Sequence, residues 1–197
     1  MRFRLGLTGS IGMGKSTTAR MFAEAGCKVW DADAAVHRLY ARGGAAVTRI
    51  GDLFPSAISD GAISRDRLRA IIAEDPTALP RIEAVVHPLV RDDRETFADD
   101  HPDAIGVFDI PLLFETGGDA QMDAVACVTV SPELQRKRVL ERGTMTAAQF
   151  EQILAKQMPI AEKRRRADYV IETDTLEHAR AQVHTVLKDI ERRIADA

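Results

Sequence analysis

Residues 9–16 read Gly-Ser-Ile-Gly-Met-Gly-Lys-Ser and satisfy the spacing G-x-x-x-x-G-K-[S/T]. Glycines at these positions let the backbone curl so that successive N–H groups face one anion, and a following helix directs its positive end at the same point. In this spacing Lys15 can reach the outer phosphates of a nucleotide, and the Ser16 hydroxyl can ligate Mg²⁺. The segment therefore predicts a nucleotide-phosphate site. The residues expected to form it are Gly9, Ile11, Gly12, Met13, Gly14, Lys15, Ser16 and Thr17.

Acidic residues end two later apolar runs. Asp31 and Asp33 follow the second run, and Asp109 ends the third. The carboxyl ends of parallel strands line the ligand crevice of a doubly wound sheet, so these acids are expected near the glycine-rich loop. Asp31 or Asp33 could orient or deprotonate an attacking hydroxyl, and capping of the next helix is an equally good interpretation. Asp109 stands where a second Mg²⁺-organising acid of phosphate-loop enzymes often lies.

Positive charge is concentrated between residues 131 and 170, where nine basic residues stand against five acidic ones. Gln135, Arg138 and Arg142 are spaced i, i+3 and i+7, which places them on one face of a predicted helix. Such a face could close over a polyphosphate and neutralise its charge during phosphoryl transfer. The basic run at residues 163–166 is interpreted instead as a solvated helix face.

Two further positions allow two interpretations each. Glu115 follows Pro111 on the loop after the third apolar run and faces either substrate or solvent. His87 precedes Pro88, which is expected to interrupt a helical pattern. A lone histidine in that setting is more often a structural hydrogen-bonding residue than a catalytic one.

The elements that must position these residues alternate between strand and helix. Apolar runs occur at residues 3–8, 29–30, 105–110, 124–130 and 169–171, and a helix is predicted at residues 16–25. This alternation indicates an α/β protein with a parallel sheet flanked by helices. Two connections exceed what one crossover helix needs, so each should contain an insertion. The predicted division is a core of residues 1–31, 104–130 and 168–197, with insertions at residues 32–103 and 131–167.

The composition excludes several classes of protein. The 197 residues are 29% charged and 45% hydrophobic, as in ordinary soluble globular proteins, and the net charge of −3 argues against a general nucleic-acid binder. Cys27 and Cys127 form no C-x-x-C pair and are interpreted as buried thiols in a reducing compartment. No apolar run approaches the length of a membrane helix. We therefore expect a cytoplasmic protein with no nucleic-acid, membrane or obligate protein partner.

Taken in order, these segments resemble the dephospho-coenzyme A kinase family almost from end to end. The phosphate loop is shared with many unrelated families, whereas the later segments are more specific. The segments that carry the resemblance are residues 7–16, 31–33, 86–89, 109–115 and 131–133, with Gln135, Arg138, Arg142, Gln157 and residues 167–168.

The resemblance implies a phosphate-loop kinase-like fold, with a parallel five-stranded sheet flanked by helices, a helical acceptor-binding insertion at residues 32–103 and a helical lid at residues 131–167. It implies Mg²⁺-dependent transfer of the ATP γ-phosphoryl group to the ribose 3′-hydroxyl of dephospho-coenzyme A. Asp33 would be the general base, Lys15 and Arg142 would stabilise the transferring group, and Arg138 would assist. The implied acceptor contacts are Thr8, Asp33, His87, Leu112, Leu113 and Glu115, and the implied Mg²⁺ ligands are Ser16 and Asp109.

Other functions fit parts of this pattern. A kinase of another small hydroxyl acceptor, such as a nucleoside, would share the core and lid. A regulatory nucleotide switch is opposed by the lack of an N-K-x-D segment and of D-x-x-G at residues 109–112. Nucleic-acid processing by the basic run would require affinity that falls steeply with salt. The adenine contact is left open between Thr173 and backbone groups, because residues 171–176 lack the Asn and Gly common in the family.

Overall fold

Strands and helices alternate along the computed structural model, which describes residues 1–196. In chain order its strands are β1 (Phe3–Thr8), β2 (Lys28–Asp31), β3 (Ile58–Ser59), β4 (Ala62–Ile63), β5 (Ile105–Asp109), β6 (Ala124–Thr129) and β7 (Tyr169–Glu172). The α-helices are α1 (Lys15–Glu24), α2 (Ala32–Tyr40), α3 (Ala45–Leu53), α4 (Arg65–Glu74), α5 (Ala78–Asp99), α6 (Pro132–Glu141), α7 (Ala147–Lys156), α8 (Ile160–Arg166) and α9 (Leu176–Ala195). None of the described helices combines the length and apolar character that crossing a bilayer requires.

A five-stranded sheet has the order β2-β5-β1-β6-β7. The central strand β1 pairs in parallel with β5 and β6, so that Leu5 lies opposite both Val107 and Ala124. β7 continues the sheet parallel to β6. The predicted α/β fold with a parallel five-stranded sheet is therefore confirmed, and the carboxyl ends of β1 and β5 share the edge from which the phosphate loop departs.

The chain forms two compact units, and the sheet belongs to the first, which comprises Met1–Trp30 and the described residues from His101 onward. Its core is built on β1, where Leu5 and Leu7 are fully buried together with Phe22 of α1 and Ile190 of α9. Burying each of these side chains stabilises the fold by roughly 1.5–3 kcal/mol. The start of the phosphate loop is thus anchored to a rigid strand.

The second unit, Asp31–Asp100, contains α2 to α5 around a separate apolar cluster that includes Leu39, Ile50 and Ile82. It also contains the antiparallel pair β3–β4. Asp60 and Gly61 join the two strands with left-handed φ angles of 51° and 76°, a combination suited to a tight hairpin turn. The Asp60-Gly61 pair predicts a turn, and the structure adds the two short strands that flank it. Residues 131–167 lie in the first unit, and their role as a lid stays a prediction.

The expectation that Pro88 interrupts its helix is wrong, because α5 runs through it from Ala78 to Asp99. A proline inside a helix removes one N–H and leaves the carbonyl four residues earlier without its helical partner. That carbonyl belongs to Ala84, which is exposed, so water can satisfy it. Val86 and Leu89 on either side of the proline are buried in the second cluster and hold the helix in place.

Two sequence patterns predict helix starts in the second insertion, Ser131-Pro132-Glu133 and Thr146 with Gln149, and both are confirmed. Ser131 accepts a hydrogen bond from the Leu134 amide at the start of α6, with Pro132 at the first helical position. Thr146 and Gln149 form a reciprocal capping box at the start of α7. Pro159 predicts that the second of these helices reaches about Met158, whereas α7 ends at Lys156.

Candidate active site

The glycine-rich loop has the features of an anion-binding turn. It joins β1, which ends at Thr8, to α1, which begins at Lys15. Gly14 is the N-cap of α1 with a left-handed φ of 86°, no side chain caps this helix, and its first turn contains no acidic residue. The amide groups at the positive end of α1 are therefore available to an anion such as a phosphate.

At two positions of the loop only glycine fits, because neighbouring atoms leave little or no room for a Cβ and because the φ angle is positive. A Cβ on Gly12 (φ 77°) would lie 2.4 Å from Val139 Cγ2, and a Cβ on Gly14 would lie 3.0 Å from Thr173 Oγ1. The loop is thus packed directly against α6 and against the segment that follows β7. Met13 lies between these glycines with its side chain buried, so it can offer a ligand only its backbone.

Two glutamines hold the tip of the loop at Ile11. Gln135 Nε2 donates to the Ile11 carbonyl oxygen at 2.7 Å, and the Ile11 amide donates to Gln157 Oε1 at 3.2 Å. Gln135 is buried, and its predicted face of α6 does point at the loop. Gln157, which follows α7, was noted only through the family resemblance, since nothing in its local sequence marks a contact 146 residues away.

Lys15 forms an ion pair with Asp109, which joins the start of α1 to the end of β5. The Asp109 side chain is 2% exposed and that of Lys15 is 16% exposed. This contact places a cation and a carboxylate together at the phosphate loop; the sequence predicted both groups near the loop but not their pairing. Charges this well shielded from water interact more strongly than surface pairs do.

The oxygens of Ser16 and Asp109 fit a Mg²⁺ ion that is shared with a nucleotide. Hydroxyl and carboxylate oxygens are ligands that Mg²⁺ prefers, and the ion is usually held by one or two protein groups plus phosphates and water. No group of three or more His, Cys, Asp or Glu side chains suited to a metal occurs within residues 1–196. A metal at Ser16 and Asp109 would therefore depend on nucleotide phosphates and water for its remaining ligands.

A cavity of about 200 Å³ opens beside the loop. Its lining includes Gly14, Thr17, Arg138, Arg142, Thr173 and Leu176. Its polar lining groups are arginine and threonine side chains, whereas Leu176, which is 67% exposed, offers an apolar surface. A cavity with both polar and apolar lining suits a flat heterocycle linked to the phosphates in the loop.

The two predicted arginines of this cavity differ in their contacts. Arg138 donates to the carbonyl oxygens of Thr173 at 2.7 Å and Asp174 at 3.3 Å. Arg142, the C-cap residue of α6, is exposed and has no hydrogen-bond or ion-pair partner among the described residues of its unit. Arg138 is therefore fixed to the turn after β7, and Arg142 is the cation that can move to a ligand without breaking a bond.

Thr173 connects this turn to the phosphate loop. Its hydroxyl donates to the Met13 carbonyl oxygen at 2.8 Å and lies 3.3 Å from the Thr129 carbonyl oxygen. The side chain is 6% exposed. Because its proton is used inside the protein, the hydroxyl holds the wall of the cavity in place.

The predicted acceptor residues that follow β5, and Thr8 at the end of β1, differ in exposure. Leu112 is 42% exposed, whereas Leu113 and Thr8 are fully buried. Leu113 belongs to an apolar cluster with Phe114 and Val125, and the Thr8 hydroxyl donates to the Pro111 carbonyl oxygen at 3.1 Å. We therefore expect Leu112 to reach an acceptor and the side chains of Leu113 and Thr8 to support the loop.

The Glu115 side chain, 18% exposed, is bound by two groups of its own unit. Residue 163 was interpreted as part of a solvated face, but Lys163 is fully buried and its Nζ lies 2.8 Å from Glu115 Oε1. The same oxygen accepts from the Met158 amide at 2.9 Å. Burial raises the pKa of Glu115, but the hydrogen bonds from Lys163 and Met158 together outweigh it and hold that pKa below its usual value. A run of four cations gave no indication of which one is buried.

The remaining predicted residues lie in the second unit. Asp31 Oδ1 accepts from the Ala34 amide at 2.8 Å, so the capping interpretation holds for Asp31. Asp33 is exposed in the first turn of α2 and has no hydrogen-bond or ion-pair partner among the described residues of its unit. His87 is exposed on α5. The catalytic role of Asp33 and the acceptor contact of His87 stay predictions.

Known proteins resemble this chain over nearly its full length. Residues 3–178 match the family model described as dephospho-CoA kinase. A dephospho-CoA kinase of Ruegeria pomeroyi is 66% identical over 190 residues, which cover 96% of each chain.

Solved structures agree with the sequence matches. A crystal structure from Thermus thermophilus has a TM-score of 0.83 and 31% identity and covers 97% of both chains. The structure of a dephospho-CoA kinase from Campylobacter jejuni has a TM-score of 0.71 and 25% identity, covering 96% of this chain and 97% of its own. With the phosphate loop, the Lys15–Asp109 pair and the adjoining cavity already described, these matches show that the chain belongs to the dephospho-CoA kinase family.

Proposed function

We propose that this chain transfers the γ-phosphoryl group of ATP to the ribose 3′-hydroxyl of dephospho-coenzyme A, giving coenzyme A and ADP. The observation that carries the proposal is Lys15, held by Asp109 at the mouth of a glycine-rich loop whose following helix has no side-chain cap. In the reaction the bond from the γ-phosphorus to the bridging oxygen of ADP breaks. A bond from the same phosphorus to the ribose oxygen forms, and the hydroxyl proton passes to a base.

The nucleotide would occupy the loop and the cavity beside it. Its phosphates would accept hydrogen bonds from the amides at the start of α1. The adenine ring would enter the cavity of about 200 Å³, against the exposed Leu176 and the Arg138 guanidinium. The buried bonds of Thr173 support this placement, since they fix the cavity wall to the loop that holds the phosphates.

Charge neutralisation during transfer would come from three groups. Lys15 would exchange Asp109 for the outer phosphate oxygens, which leaves the Asp109 carboxylate for the metal. A bound Mg²⁺ at Ser16 and Asp109 would supply electrostatic stabilisation of the phosphate oxygens. Arg142, exposed and unpaired in its unit, would close onto the transferring group while Arg138 keeps α6 in position.

The acceptor contacts and the base are proposed from the family resemblance. Asp33 is proposed as the general base, as the family resemblance implies; its side chain is exposed and has no hydrogen-bond or ion-pair partner among the described residues of its unit. His87 and Glu115 are proposed to bind the acceptor. The exposed Leu112 offers it an apolar contact.

The proposed substrates are small molecules, and no nucleic acid, membrane or protein partner enters the reaction. The net charge of −3 supports this proposal, because it gives the whole chain no general attraction for polyanions. Work in the cytoplasm is proposed from the two buried cysteines, which remain free thiols.

The test is an assay of the purified protein with Mg-ATP and a panel of acceptors, followed by mass spectrometry. We expect ADP together with a product heavier than dephospho-coenzyme A by one phosphoryl group. Blocking the ribose 3′-hydroxyl should abolish that product. Phosphorylation of a nucleoside in place of dephospho-coenzyme A would overturn the proposal and favour a kinase of another hydroxyl acceptor.

A further inference from the structure

Lys163 is fully buried in a protein whose other lysines and arginines on the same helix are exposed. It lies in α8, a helix of seven residues that ends in four consecutive cations. Lysine is almost never fully buried unless its charge is paired, because removing an ammonium group from water is costly. The position of Lys163 therefore requires an explanation in terms of what it contacts.

The ammonium group bridges two points of the loop after β5. Lys163 Nζ donates to the Pro111 carbonyl oxygen at 3.0 Å and lies 2.8 Å from Glu115 Oε1. The same Pro111 carbonyl also accepts from the Thr8 hydroxyl at 3.1 Å. One cation thus fixes the beginning and the end of residues 111–115, and Thr8 connects them to the strand that leads into the phosphate loop.

A second set of contacts ties the same loop to the same helix. The Arg166 guanidinium lies 3.0 Å from Asp119 Oδ2 and 4.5 Å from the centre of the Phe114 ring. These contacts are partly exposed, whereas the Lys163–Glu115 pair excludes water from the lysine completely. Because the lysine is fully shielded from water, its contacts hold the loop more strongly than the partly exposed contacts of Arg166 do.

A buried ion pair contributes little net stability compared with apolar side chains of the same size, but it specifies one geometry. Here the geometry is that of a short loop whose exposed apolar residue is Leu112. Without the ammonium group, the Pro111 carbonyl would keep only its hydrogen bond from Thr8, and the Glu115 carboxylate only its hydrogen bond from the Met158 amide. The loop would then sample several positions.

We propose that Lys163 is a positioning residue for the acceptor substrate: it holds Pro111 and Glu115 so that residues 112–115 present one fixed edge to dephospho-coenzyme A. The inference rests on the proposed function and deepens it, since it assigns to α8 the control of acceptor affinity. Lys163 itself does not touch the substrate.

The test compares Lys163→Met with Arg165→Met, which removes an exposed cation from the same helix. Methionine retains the length and apolar body of lysine without its charge. For Lys163→Met we expect KM for the acceptor to rise on the order of tenfold or more, because misplacement of a substrate-binding group costs this much or more. KM for ATP should stay within about twofold, since the phosphate loop keeps its own contacts to Gln135 and Gln157. Arg165→Met should change neither constant.

Hydrogen exchange gives a second measurement that does not depend on turnover. Amides of residues 112–117 should exchange faster in Lys163→Met than in the unchanged protein, while amides of β1 should not. Lys163→Met alone leaves the Glu115 carboxylate without its cation, which can destabilise the fold. The double variant Lys163→Met/Glu115→Gln removes both charges. It should unfold near the temperature of the unchanged protein and still show the faster exchange of residues 112–117, which is the readout for this variant because Glu115 is itself a proposed acceptor contact.

An unchanged acceptor KM in Lys163→Met would overturn the inference, as would an equal rise in the KM for the acceptor and the KM for ATP. Failure of the unchanged protein to phosphorylate dephospho-coenzyme A is a different result, because it overturns the proposed function and with it the acceptor role of Lys163. Unaltered exchange in residues 112–117 would show that Lys163 does not fix the loop at all.

Discussion

Replacement of Gly12 by alanine tests whether the phosphate loop has the shape described here. Gly12 has a φ of 77°, and a Cβ there would lie 2.4 Å from Val139 Cγ2 and 3.2 Å from the Gln135 carbonyl oxygen. Val139 is 1% exposed, so it cannot retreat into solvent. The left-handed conformation costs a residue other than glycine about 1–2 kcal/mol. Overpacking adds about 1–3 kcal/mol, for a total loss of about 2–5 kcal/mol in the free energy of unfolding.

Gly143→Ala is the matched control. Gly143 has a φ of 64° and no heavy atom within 4 Å of the position of its Cβ, so only the conformational cost applies. Urea denaturation followed by circular dichroism should therefore show Gly12→Ala to be less stable than Gly143→Ala by about 1–3 kcal/mol. Calorimetry should also show weaker ATP binding in Gly12→Ala alone, because the amides of its loop are displaced.

A double-mutant cycle with Val139→Ala isolates the clash. Removing Val139 Cγ2 should reduce the destabilisation that Gly12→Ala causes, because the close contact no longer forms. Equal stability of Gly12→Ala and Gly143→Ala would refute the reasoning. So would a cycle in which the two substitutions act independently.

Four further predictions concern the chemistry of the site. Lys15→Ala should lower turnover on the order of a hundredfold or more, measured as ADP release, because a contact to the transferring charge is lost; near-normal turnover would contradict this. Asp33→Asn should lower kcat by about 10²–10⁴-fold while calorimetry shows unchanged ATP binding, and a normal rate would leave Asp33 without the base role. Arg142→Ala should reduce transfer more than Arg165→Ala does, and equal effects would mean that the wrong arginine was chosen. Burial raises the pKa of the Cys127 thiol to about 11, so at pH 8 it should be alkylated only after unfolding, as mapped by mass spectrometry; rapid labelling of the folded protein would contradict that burial.

The sheet and the phosphate loop could be predicted because their signals are local. Each strand is a short apolar run bounded by turn residues, and Gly12, Gly14 and Lys15 stand together within a few positions. Helix starts such as Thr146 with Gln149 are likewise encoded three residues apart. Predicting elements of this kind requires no knowledge of contacts that are distant in sequence.

Other features depend on what packs against a residue and left no local signal. Lys163 is buried because Pro111 and Glu115, about fifty residues away, supply its partners. Pro88 is tolerated because buried neighbours hold α5 and the orphaned Ala84 carbonyl is exposed. In both cases tertiary contacts override the ordinary tendency of the residue.

The candidate site likewise contains residues that the sequence predicted and contacts that it did not. The residues of the loop and the presence of Asp109 at the same edge of the sheet followed from spacing and sheet topology, whereas the ion pair between Lys15 and Asp109 did not. The two hydrogen bonds at Ile11 and the position of Thr173 did not, since they join segments more than a hundred residues apart. The supporting contacts of a site are therefore harder to predict than the groups that do its chemistry.

A crystal structure with Mg²⁺ and a non-hydrolysable ATP analogue provides the most direct measurement. We expect the triphosphate to lie against the amides of residues 12–17, the adenine ring to fill the cavity between Arg138 and Leu176, and Lys15 to have moved from Asp109 to the phosphates. A triphosphate bound anywhere else, or a Lys15–Asp109 pair that stays closed beside the bound nucleotide, would contradict the assignment of this loop as the phosphoryl-donor site.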